Sequence, residues 1–152
     1  MNFQDVLTKN ISDIERPPLM PIGTYNWMVE KYSMDSIANG DWDVLDFSLK
    51  CLSPTDDVDE DDLKEYGDIT NKRMRHRFMF STTDEARFAQ TLYNVKRFIE
   101  DHLKVDGADK MDLKEALANC VNHQCLAGVK WRPDPKNAEV MYDEISRTAP
   151  IE

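Results

Sequence analysis

Apolar residues recur along this chain at two periods, and the changes of period mark out its elements. In residues 2–14, Phe3, Val6, Leu7, Ile11 and Ile14 fall at helical spacing, which predicts a helical extension over residues 1–16. Pro17, Pro18 and Pro21 forbid its continuation, since proline lacks the amide a helix needs. Residues 24–32 then alternate, with Tyr25, Trp27 and Val29 on one side, as a half-buried strand does. Asn39-Gly40-Asp41 reads as a turn. Residues 42–52 alternate more cleanly, with Leu45, Phe47, Leu49 and Cys51 opposed to Asp46, Ser48 and Lys50. These two runs predict an antiparallel hairpin with a long connection.

A third strand is expected over residues 69–80. Met74, His76, Phe78 and Phe80 share one face; Arg73, Arg75, Arg77 and Met79 share the other. Ser81-Thr82-Thr83-Asp84 supplies an N-cap, after which Phe88, Leu92, Val95, Phe98, Ile99 and Leu103 repeat at helical spacing to about residue 102. Asp106-Gly107 stops this helix. A shorter one follows over residues 112–119, with Leu113, Ala116, Leu117 and Cys120 on one side. Strands over residues 124–132 and 139–147 flank the turn at Pro133-Asp134-Pro135.

Strand, strand, strand, helix, strand, strand is the order of the oligonucleotide/oligosaccharide-binding (OB) barrel. The expected fold is therefore α+β and mainly β: a five-stranded OB-like barrel, a long helix between strands three and four, and a short N-terminal helix. A sheet with helices on one face is the alternative. The 152 residues fit a single domain over residues 1–152, and no internal repeat or linker interrupts them.

Composition narrows the functional classes. The net charge is -10, but residues 54–68 hold eight carboxylates and one lysine, so the other 137 residues sum to only -3. This acidic loop is followed by Lys72-Arg73-Met74-Arg75-His76-Arg77. Exposed charges more than about 10 Å apart are largely screened at ~0.1 M salt, so a local cationic strip attracts anions even on an acidic molecule. A solvated edge strand beside an acidic surface loop is the plainer reading. Cys51, Cys120 and Cys125 are too few and scattered for a disulfide framework and read as reduced thiols of a cytoplasmic protein. The chain has neither an apolar run long enough for a membrane span nor an export signal.

Pro21-Ile22-Gly23-Thr24-Tyr25 opens straight into the first strand. The apolar strand ending at Leu52, the basic strand feeding the long helix, and Tyr142-Asp143-Glu144-Ile145 with Pro150 complete a pattern. In these features, spanning roughly residues 17–150, the chain resembles phage-encoded single-stranded-DNA-binding-like proteins of the OB fold. The resemblance implies sequence-non-specific binding of single-stranded DNA in phage replication or recombination, in the host cytoplasm. Single-stranded DNA is the expected partner, with replication or recombination proteins as further candidates, and the binder is expected to be a monomer or homodimer. Many such binders recruit partners through an acidic C-terminal tail. Here the residues after Ser146 read Arg-Thr-Ala-Pro-Ile-Glu and the acid is internal, so that role is not carried over.

Single-strand binding needs cations along the backbone and flat rings for the bases. Arg73, Arg75 and Arg77 share a strand face at a spacing of about 6.6–7 Å, which an extended phosphate chain follows. Arginine's planar fork both bonds phosphate and stacks on bases. Lys72 belongs to the same run, and Lys50, Lys130 and Arg132 are expected to extend it. Tyr32 and Trp42 are the stacking candidates, with Tyr66 behind them; Tyr25, Trp27, Trp131, Phe78 and Phe80 fall in phase with apolar neighbours and are expected in the core. Adjacency of the charge blocks also predicts that the acidic loop covers the arginines until nucleic acid displaces it.

Other chemistry is set aside. Cys120, His123 and Cys125, even with His102, lack the paired knuckles of structural zinc. The run Asp56-Asp57-Val58-Asp59-Glu60-Asp61-Asp62 lacks the central glycine and final glutamate of a calcium loop. No nucleophile elbow, phosphate-cradling glycine loop or zinc-protease helix motif occurs, so no enzyme, metal or cofactor is expected. The competing function is an acidic interaction module that binds a protein partner, including by imitating nucleic acid.

Overall fold

The structure is a computed structural model and describes residues 2–151. The alternating runs become β1 (Gly23–Ile37), β2 (Trp42–Pro54), β3 (Arg73–Ser81), β4 (Gln124–Asp134) and β5 (Asn137–Ala149). They form one antiparallel sheet in the order β3-β2-β1-β4-β5. Three α-helices accompany it: α1 (Glu60–Tyr66), α2 (Glu85–Arg97) and α3 (Leu113–Cys120). The fold is mixed α+β and mainly strand.

The expected closed barrel is not formed, because β3 and β5 remain edges of an open sheet. Side chains bridge those edges instead. Lys72 Nζ lies 3.5 Å from Asp143 just before β3 begins. Further along, α2 runs into a π-helical turn at Phe98–His102, in which the Leu103 amide donates to the Phe98 carbonyl at 2.9 Å. This turn sets Phe98 against Phe78 of β3 and His102 Nδ1 2.7 Å from Thr148 Oγ1 of β5.

The inner face is as the alternation predicts. Tyr25, Trp27, Val29, Phe47, Leu49 and Cys51 are fully buried, against Val95, Phe98, Leu117 and Cys120 from the helical side. The polar atoms of the large rings are satisfied: Tyr25 OH donates to the Pro21 carbonyl at 2.7 Å and Trp27 Nε1 to Ala127 at 3.1 Å. Gly23 stands at φ +148°, and a Cβ there would meet Val58 Cγ2 at 2.6 Å. Only glycine lets the acidic segment close over the start of β1 in this way.

Four details depart from expectation. Residues 2–14 form two 3₁₀ turns, Phe3–Val6 and Ile11–Asp13, with Phe3, Leu7, Ile11 and Ile14 exposed. So short a helix is marginal in water without a surface to pack on. The hairpin connection is tight rather than long, because β1 runs on through Ser33, Asp35 and Ser36 to a three-residue turn at Ala38–Gly40. Glu30 is an extra residue between the Val29–Leu49 and Lys31–Ser48 pairs, a β-bulge that reverses the phase of everything after it. Lastly, only the later part of the α2 stripe is buried: Phe88 and Leu92 are about 40% exposed.

Candidate nucleic-acid interface

Cross-strand pairing assembles the outer face of β1, β2 and β3 in rows. Met28, Lys50 and Arg73 form one row, Lys31, Ser48 and Arg75 the next, then Ser33, Asp46 and Arg77, then Asp35, Val44 and Met79. Arg73, Arg75 and Arg77 point outward, as their spacing predicts, with Lys50 beside them. Lys31 joins them, a residue that simple alternation from Tyr25 would have placed inside; the Glu30 bulge carries it out. The face holds five cations against three carboxylates, Glu30, Asp35 and Asp46.

Carboxylates of the face itself, Glu30 and Asp46, partner these arginines. Arg73 makes a two-pronged pair with Glu30, at 2.7 and 3.2 Å. Arg77 does the same with Asp46, at 2.8 and 3.0 Å. The hydrogen bonds hold the Glu30 carboxyl below its ordinary range and raise both guanidinium groups. Arg75 differs: its side chain is 67% exposed and reaches only the already engaged Asp46, at 3.7 Å. The Arg73–Glu30 pair is solvent-exposed and contributes little to stability, whereas Asp46, the partner of Arg75 and Arg77, is mostly buried and holds them more firmly.

The other nominated cations do not join this face. Lys72 turns toward Asp143 on β5. Lys130 and Arg132 of β4 share Glu144, at 3.4 and 2.7 Å. Lys130 lies one position beyond the Gly23–Val129 pair, whereas the Lys50–Arg73 row crosses β1 at Met28. At about 3.3 Å per residue this is roughly 17 Å or more along the sheet.

Of the stacking candidates, Tyr32 is corrected by the same bulge, which pairs it with buried Phe47 and packs it against the core. Tyr66 also packs on the core, from α1. Trp42 is half-buried and in phase with Val44 and Asp46, hence on the outer face near Met79 and Ile37. The face thus grades from guanidinium groups at one end to apolar and indole surface at the other. Trp131, expected in the core, is 41% exposed with its Nε1 donating to the Met20 carbonyl at 2.7 Å.

The acidic loop lies elsewhere, so the expected cover over the arginines is not present. Asp57 accepts from the Thr24 amide at 2.8 Å and its hydroxyl at 2.7 Å, bonds that hold its carboxyl low. Val58 is buried against Gly23, and Asp59 caps α1. Among the described residues no ion pair joins residues 54–68 to any arginine.

The thiols are inert core groups. Burial pushes Cys51, Cys120 and Cys125 up to about 12. His123 keeps an unpartnered buried Nδ1, but no cluster among the described residues gathers three groups able to hold a metal ion. No helix among them is long and apolar enough to cross a membrane. No protein-family model matches the chain and no curated protein sequence matches it.

Proposed function

We propose that the outer face of β1, β2 and β3 binds single-stranded DNA without sequence preference, as a binding step with no chemistry of its own. The observation that carries this is the row of Arg73, Arg75 and Arg77 beside Lys31 and Lys50, leading toward Trp42. Cations in register with an extended backbone, followed by a flat ring, are the two requirements of single-strand recognition. The strand order supports an OB-type reading, since pairing β3 with β5 would join the open sheet into that barrel. The setting we assign, phage replication or recombination in the host cytoplasm, rests on the resemblance described above.

Anisotropy titration with an unstructured labelled oligonucleotide over a salt series tests the reading. Replacing Arg73, Arg75 and Arg77 with alanine should flatten the salt slope by roughly 0.7 per lost phosphate contact. An unchanged slope removes these residues from the site, and no binding by the native protein at any salt removes the function. That last outcome favours the second reading, a docking module for a basic protein. It draws on α1, whose Glu60, Asp61 and Asp62 are exposed and make no ion pair among the described residues.

A further inference from the structure

The gap between the β3 and β5 edges is open to solvent. It is a cleft of about 470 Å³, within the range of small-ligand pockets. Its floor is aromatic: the His76 ring lies 4.6 Å from Phe78 and 5.0 Å from Phe98, centre to centre. Arg97 and Arg147 stand at its rim with His102, whose Nδ1 is held by Thr148. None of the nine lining residues is a carboxylate, in a chain with 29 of them.

The two arginines differ from those of the outer face. Arg147 makes no ion pair among the described residues, and Arg97 has only the exposed Asp101, at 3.6 Å. His76 and His102 are both held below their ordinary values by burial, so the rings serve as flat surface and hydrogen-bonding groups and the arginines supply the charge. The π-helical turn that shapes the wall is a rare form, frequent at functional sites.

We propose that this cleft receives the phosphorylated end of a single strand, the terminal base against Phe78 and His76 and the phosphate monoester between Arg97 and Arg147. It rests on the single-strand reading of the outer face and adds a preference for ends. Edge strand β3 connects the two places, with Arg75 and Arg77 on its outer side and His76 and Phe78 on its inner side. A terminal phosphate monoester carries about -1.5 to -2 charge, more than an internal diester, which suits two arginines in a lining without a carboxylate.

The test compares a short oligothymidylate carrying a 5′-phosphate, a 3′-phosphate or hydroxyls at both ends. One phosphorylated form should bind about tenfold more tightly than the hydroxyl form, on the order of one hydrogen bond to a charged group. The double variant Arg97→Ala/Arg147→Ala, checked for an unchanged thermal midpoint, should lose that preference and keep the salt-dependent affinity of the hydroxyl form. Equal affinity for all three ends, or a preference that survives in the double variant, overturns the proposal and leaves the outer face standing. If none of the three oligonucleotides binds, the cleft proposal falls together with the outer face.

Discussion

Acidification should destabilise this protein through one ring in particular. His76 sits on β3 among Phe47, Phe78 and Phe98, with no side-chain hydrogen bond or ion pair among the described residues. Burial, with a smaller contribution from His102, brings it from 6.5 down to about 4. A depressed histidine means the unfolded chain binds the proton more readily than the native one. Its contribution to stability is therefore complete above about pH 6.5 and is lost as the pH falls toward 4. At 1.36 kcal/mol per pH unit the loss from this group amounts to about 2 kcal/mol by pH 5 and about 3 kcal/mol at pH 4. His76→Gln removes the titration while leaving the common acid-sensitive groups, His102, Glu30 and Asp57, in place. Urea unfolding of both proteins at pH 7 and pH 5 measures the difference. The native protein should lose about 2 kcal/mol more than the variant over that interval. Equal losses would show that the protonated ring is solvated through the cleft it lines, and would refute the reasoning from burial.

Asp46→Asn frees Arg75 and Arg77 from their shared carboxylate, so single-strand affinity should rise at low salt with a slope steeper by roughly 0.7, one phosphate contact; an unchanged titration places the strand elsewhere. Gly23→Ala drives a Cβ toward Val58 from a backbone angle that side chains avoid, and should destabilise by about 1–3 kcal/mol in denaturant unfolding. A midpoint equal to the native one would mean that the acidic segment is not seated on β1. The three thiols, pushed up to about 12, should resist an aromatic disulfide reagent at pH 8 and react together after denaturation; rapid labelling of the native protein would place one of them at the surface.

Local pattern carried most of the fold. The alternation in β2 and β3 separates Phe47 and Leu49 from Lys50, and Met74 and Phe80 from Arg73 and Arg75, because a strand's period of two sorts side chains by burial wherever one face meets a core. The helical spacing from Val95 to Leu103 and the Asp84 cap were equally legible, since caps and stripes are short-range chemistry. Which faces meet was not. One unpaired residue, Glu30, exchanges the roles of Lys31 and Tyr32, and nothing in its neighbours announces a bulge that exists only in register with Leu49 and Ser48. Likewise, the arginines were visible as a row, but their carboxylate partners lie on other strands, 31 and 43 residues away. The cleft between β3 and β5 arises only when a helix end from the middle of the chain is wedged against both edges. Periodicity along a chain is a local property; register, ion pairing and the shape of a gap are decided by segments that meet only after folding.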